Sequence, residues 1–195
     1  MESLFDSLNI GENVIWEKAV RHRSGRRGCK LSHLSVIKKA AERNYKNVLI
    51  FEDDATPTPC FDLESLHKSI TLLNQQDWDL FYLGGRVVSP AIDLGDSLFK
   101  ASLMSTHSYC INESAYERVS QKLMKSKLPI DRFYAGFPKN APRNWGRRAP
   151  ENRFNCYAVN PPLFFQDPNL GTDIGLGADR REAFLDSYVN RKCIK

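Results

Sequence analysis

Leu31, Leu34, Ile37 and Ala41 recur at intervals of three and four, with Lys38, Lys39, Glu42 and Arg43 filling the opposite face. That spacing predicts an amphipathic helix, stopped near Asn44. The next apolar run, Val48-Leu49-Ile50-Phe51, is short and continuous, and is followed at once by Glu52, Asp53, Asp54 and the breakers Pro57 and Pro59. It predicts a buried parallel strand that ends in carboxylates. A helical stretch from Leu63 to Leu73 leads to Trp78 through Leu83, a second strand running into Gly84-Gly85. Ser105 to Ile111 reads as a further strand, Asn112 as a cap, and Glu113 to Met124 as a helix with Ala115, Val119 and Leu123 on one face. Cys156 to Phe165 is strand-like but broken by Pro161-Pro162, which predicts an edge strand. A polar loop and a short helix from about Arg180 to Val189 would finish the chain. Helix followed by strand, repeated, is the pattern of an α/β fold, with a mostly parallel central sheet flanked by helices.

Composition limits what such a fold is for. With 195 residues, 42% of them hydrophobic and 26% charged, the chain has the material for one domain and one core. There is no internal repeat and no low-complexity tract. The net charge of +5 is unevenly spread. Arg21, Arg23, Arg26, Arg27 and Lys30 form one acid-free cluster, read as a solvated loop, and Lys139, Arg143, Arg147, Arg148 and Arg153 form another around Trp145 and Gly146. Together they exceed the whole excess, so the remainder is net acidic. No apolar run approaches the length of a membrane span, and Glu2 and Asp6 stand where a basic leader would begin. The expectation is a cytoplasmic protein, with peripheral contact to a membrane surface left open. Five scattered cysteines without a C-x-x-C pair support neither a zinc knuckle nor a disulfide framework, and most are expected to be reduced and buried.

The candidate chemistry lies at the acidic strand end. Ligands of open α/β sheets bind outside the carboxyl ends of the strands, which is the address of Glu52-Asp53-Asp54. Three consecutive carboxylates repel one another unless cations or donors compensate them. A hard divalent cation shared with a diphosphate is one solution; an acidic turn that caps the next helix or pairs with arginine is the other.

Six segments in order resemble glycosyltransferase family 25, the lipooligosaccharide and collagen galactosyltransferase group. They are Gly28-Cys29-Lys30-Leu31-Ser32-His33-Leu34, Val48 to Asp54, Trp78 to Gly84, Thr106-His107-Ser108-Tyr109, Pro129-Ile130-Asp131-Arg132-Phe133, and Pro162 to Gln166 leading to Asp173-Ile174. The resemblance implies a single GT-A-like, Rossmann-like domain and transfer of a hexose, with inversion, from a nucleotide diphosphosugar, typically UDP-galactose or UDP-glucose, to a glycan hydroxyl. Glu52-Asp53-Asp54 then looks like the family's D-x-D element, with Glu52 and Asp54 serving ribose and a Mn²⁺ or Mg²⁺ ion, Asp54 the more direct ligand, and Asp53 at the donor. Asp131 matches the Asp of the family's P-[IV]-D element and is the implied general base. Asp173, where Thr172 replaces the usual Ser, is a late metal or acceptor contact for which Asp167 competes. Gly28, Ser32, Gly84 and His107 are implied donor contacts, His33 a satisfied core histidine. The basic segment 139–153 reads from its own residues as an irregular surface loop, either solvated or a lid with Trp145 stacking on a sugar face.

The family generally opens with an apolar strand and an arginine-rich turn, whereas Leu4 to Val20 resembles the stretch that succeeds those two elements. A truncated chain or a differently built nucleotide site is expected. Two other readings stand beside the enzyme: a non-catalytic nucleotide- or carbohydrate-binding remnant, and a nucleic-acid-binding protein acting through its arginines. Nucleotide sugar and glycan acceptor are the preferred partners; nucleic acid is not expected.

Overall fold

The computed structural model describes residues 5–6, 10–138 and 154–167. The expected lid 139–153, Asp173 and the expected helix 180–189 lie outside the described residues. A 3-10 turn at Gly11–Asn13 comes first. In chain order there follow α1 (Gly25–Glu42), β1 (Asn47–Phe51), β2 (Ala55–Pro57), α2 (Leu63–Leu73), β3 (Leu80–Tyr82), β4 (Arg86–Val87), β5 (Ile92–Gly95), β6 (Leu98–Lys100), β7 (Leu103–Met104), β8 (Ser108–Asn112), α3 (Glu113–Lys125), α4 (Ile130–Tyr134), β9 (Cys156–Val159) and β10 (Phe164–Gln166).

α2 and α3 begin where their caps dictate. Asp62 accepts from the backbone N–H groups of Glu64 and Ser65 at the start of α2, and Asn112 from that of Ser114 at the start of α3. α1 begins earlier than its apolar periodicity predicts and absorbs Arg26, Arg27 and Lys30, expected in a loop, into its first turns. Arginine and lysine extend a helix nearly as well as alanine, so the basic residues of that cluster do not resist it.

The main sheet has the order β1-β8-β3-β9-β6-β5, and it is mostly antiparallel, which corrects the expected parallel sheet. The β3–β9 ladder is parallel; β1–β8, β3–β8, β6–β9 and β5–β6 are antiparallel. The correction has a local cause: β8 inserts between β1 and β3 and runs against both. β1 is accordingly an edge strand, with Ile50 buried and Leu49 44% exposed. β9, expected at an edge, lies between β3 and β6 with all four residues buried. Pro161-Pro162 falls after that ladder, so neither ring removes one of its donors.

Successive residues of the central strands face opposite layers, as strand geometry requires. Leu80, Tyr82, Cys156 and Ala158 meet Leu34, Ile37, Val119, Leu123, Phe133 and Tyr134 under α1, α3 and α4. Phe81, Leu83, Tyr157 and Val159 meet Leu73, Leu98, Leu163 and Phe164 on the side of α2. The result is an α/β/α sandwich. Asp79, buried before β3, accepts from Asn155 N at 2.8 Å and pairs with Arg118 of α3, whose guanidinium lies 4.5 Å from the Phe154 ring centre. This cluster ties the entries of β3 and β9 to the helical layer. Cys29, Cys110 and Cys156 are free thiols, Cys156 buried and the other two partly so, whereas Cys60 is disulfide-bonded.

Ile111 of β8 is fully buried and pairs with both Val48 and Leu80. Ile111→Ala is expected to destabilise the domain by about 2–5 kcal/mol through lost transfer energy and the cavity left behind. Urea unfolding should show a lower midpoint with an unchanged slope.

Candidate functional site

Because β8 opposes both β1 and β3, those two strands point the same way, and β9 joins them. The ends of β1, β3 and β9 and the start of β8 therefore share one edge. The expected convergence of loops survives the correction of the sheet.

The acidic turn is fixed from both sides there. Glu52 N donates to His107 O at 2.9 Å, extending the β1–β8 ladder by one residue. Glu52 Oε1 accepts from Thr106 Oγ1 at 2.7 Å and lies 3.1 Å from His33 Nε2. His33 Nδ1 in turn lies 3.0 Å from the Tyr109 hydroxyl, which is 3.4 Å from that of Tyr134. Burial pushes the Glu52 carboxyl up, but the hydrogen bonds and the charge of His33, with Thr106 and His107, outweigh it and hold Glu52 below its usual value.

Asp54, two residues on, goes the other way. Its Oδ2 accepts from Gln166 Nε2 at 2.7 Å, and its backbone oxygen from Asp167 N at 2.8 Å, so β10 clips the turn through its pairing with β2. Its Oδ1 is buried without a hydrogen-bond partner. Burial first, then Glu52 and Asp53, push the Asp54 carboxyl up to about 6, against the hydrogen bond from Gln166. A buried carboxylate oxygen without a donor fits a cation, which would supply the missing partner.

The other sequence-selected residues divide. Gly84 sits where β3 ends: a Cβ there would stand 2.0 Å from Phe164 O and 2.8 Å from His107 Nε2. His107 is 1% exposed beside the turn, with Nε2 3.4 Å from Phe164 O, and burial lowers its pKa. Asp53 is exposed. Asp131, in the first turn of α4, accepts at Oδ1 from Arg132 N at 2.7 Å; burial raises its pKa, Arg132 opposes this and Glu52 adds to it, so it belongs to the same charged neighbourhood. Gly28 and Ser32 hold the preceding segment. Ser32 Oγ accepts from Val20 N at 2.8 Å and donates to Gly28 O, and a Cβ on Gly28 would reach within 2.8 Å of Val20 O.

Sequence reading gave no role to Thr106 and Gln166, which bond the carboxylates, or to Tyr109 and Tyr134, which extend the chain of contacts behind His33. Thr106, Tyr109 and Gln166 lie inside segments carrying the family resemblance, and that was the available signal; polar residues beside a strand announce no partner by themselves. His33, expected as a satisfied core histidine, is buried with both ring nitrogens engaged.

The acidic turn also lies in the part of the chain shared with known proteins. Residues 15–82, which include that turn, match the model of glycosyltransferase family 25 (LPS biosynthesis protein). A Drosophila melanogaster glycosyltransferase 25 family member is 26% identical over 160 residues, 77% of this chain and 26% of that protein. Proteins of Mus musculus and Homo sapiens, each named inactive glycosyltransferase 25 family member 3, are 30% and 31% identical over 117 residues, 56% of this chain and 20% of theirs. Over this stretch and across these relatives the chain is similar to glycosyltransferase family 25. It spans between a fifth and about a quarter of the length of these relatives. Among the described residues no helix is long and apolar enough to cross a membrane.

The raised pKa of Asp54 has a stability consequence of definite sign. Its folded value, about 6, lies above the ordinary 3.8, so the native state holds the proton more tightly than the unfolded chain does. Stability from this group falls as pH rises through that window, and the penalty is complete above it. Asp54→Asn should therefore be more stable than the parent at pH 7.5, by about 1–2 kcal/mol after solvent screening. The gain should vanish below about pH 4; urea midpoints at both pH values test it.

Proposed function

We propose that this chain carries the donor site of a metal-dependent, inverting glycosyltransferase that moves a hexose, galactose or glucose, from a UDP-sugar to a glycan hydroxyl. One observation carries the reading. Asp54, buried and clipped by Gln166, keeps an unpartnered carboxylate oxygen beside an ionised Glu52, inside the stretch matched to the family.

Within this reading Glu52 is locked by His33 and Thr106, stays charged near neutral pH, and is positioned to accept hydrogen bonds from ribose hydroxyls. Asp54, with Asp173 as a further contact, would hold Mn²⁺ or Mg²⁺. Such an ion, when bound, offsets negative charge on a departing nucleoside diphosphate. Asp131 acts as general base. Its Oδ1 is tied to the Arg132 amide, its burial favours proton uptake, and it takes the proton of the acceptor hydroxyl as that oxygen attacks the anomeric carbon.

The relatives named inactive favour a second reading, a domain that binds the nucleotide sugar without turning it over. The two separate in one set of measurements. UDP with Mn²⁺ should raise the melting temperature of the parent, and Asp54→Asn should lose that response. Asp131→Asn should keep it while donor turnover falls by about 100- to 10,000-fold. Stabilisation by UDP without turnover in the parent favours the binding domain; no response to any nucleotide sugar overturns both readings.

A further inference from the structure

Cys29 and His33 stand four residues apart on α1 and so share a face, and Glu52 closes on that face from the end of β1. One ligand atom from each, the cysteine sulfur, an imidazole nitrogen and a carboxylate oxygen, lies within 4.8 Å of the other two. We propose that this triad is a binding site for a thiophilic divalent cation, Zn²⁺ fitting best, separate from the hard-cation role given to Asp54.

The geometry needs little adjustment. Tetrahedral zinc, with bonds of about 2.3 Å to sulfur and 2.0 Å to nitrogen and oxygen, separates its ligand atoms by roughly 3.3–3.8 Å. The three atoms lie within 4.8 Å of one another, at most about 1–1.5 Å wider than that spacing. His33 presents Nε2 to Glu52 at 3.1 Å, and the ion takes the place of the proton between them. The imidazole keeps one proton, on Nδ1, and donates it to the Tyr109 hydroxyl 3.0 Å away; zinc-bound histidines are oriented by such a second contact. The Cys29 thiol gives its proton to solvent. Thiolate and carboxylate then balance the two positive charges, with the imidazole as the neutral third ligand.

Charge and hardness agree with the geometry. Burial, then Glu52, Asp131 and Asp54, push the Cys29 thiol up to about 12, so the pocket is negative and without a cation the sulfur stays protonated. Bound zinc reverses that balance, because a coordinating thiol is deprotonated outright. Sulfur selects zinc over magnesium and manganese. Three protein ligands leave a fourth position open to water or a ligand. Of the free thiols, Cys110 and Cys156 belong to no such cluster among the described residues.

Titration of the metal-free full chain with Co²⁺ tests the site, because cobalt bound to a thiolate gives a sulfur-to-metal charge-transfer absorption. The parent should take up one equivalent with that band, release it to Zn²⁺, and retain it in about tenfold excess of Mg²⁺ or Mn²⁺. Cys29→Ser should lose the band and Cys110→Ser should keep it, with far-UV circular dichroism establishing that both fold. His33→Gln should weaken Co²⁺ binding by at least about tenfold. Absence of the band in the parent, or its survival in Cys29→Ser, overturns the site. Asp54→Asn should keep the band, so loss of nucleotide binding and loss of the cobalt signal are separate results.

Discussion

The acidic turn depends on a close approach of two backbones. At Gly84 the end of β3 passes so near Phe164 that any Cβ would occupy the space of its carbonyl oxygen. Leu163 and Phe164 both donate to Leu83 O, at 2.8 and 3.2 Å, and from there the chain runs into β10. β10 has left the main sheet and pairs with β2, bringing Gln166 to Asp54. A larger residue at 84 would push β10 outward and release the turn from one side. The small residue serves close packing here, since nothing in its backbone angles demands a glycine.

That clamp makes two neighbouring carboxylates behave differently. Glu52 is surrounded by groups that favour its charge, Asp54 by burial and like charges that oppose it. Isolated side chains of these two types differ little in acidity; the environment separates them and reverses their order. Leaving one buried oxygen of Asp54 without a donor costs stability, and such costs persist where a ligand supplies what the protein withholds.

Much of this was legible in the sequence. Helical periodicity located α1 and α3, Asn112 declared its cap, and Val48 to Phe51 running into three acids located the site's central turn. Strand polarity was not legible. Val48-Leu49-Ile50-Phe51 reads as a doubly buried parallel strand, yet its outer position leaves Leu49 in solvent, because burial of a short apolar run depends on which strand docks beside it. The prolines at 161 and 162 suggested an edge for the whole segment, whereas the chain makes its break after β9, so a central strand and a peripheral one stand in direct succession. The partners of the carboxylates were hidden for a related reason: Thr106 and Gln166 reach them only through tertiary structure.

Those partners also bear on how the domain folds. His33, Thr106 and Gln166 stand 19, 54 and 112 residues away along the chain from the carboxylates they hold. Contacts across such separations carry a loop-closure penalty that local turns avoid, and they slow folding. The pentapeptide around Asp53 has no means of taking its final shape alone. It acquires that shape when β8 docks against β1 and the chain beyond Val159 returns to β2, so an ordered acidic turn reports that nearly the whole described chain has reached its native arrangement.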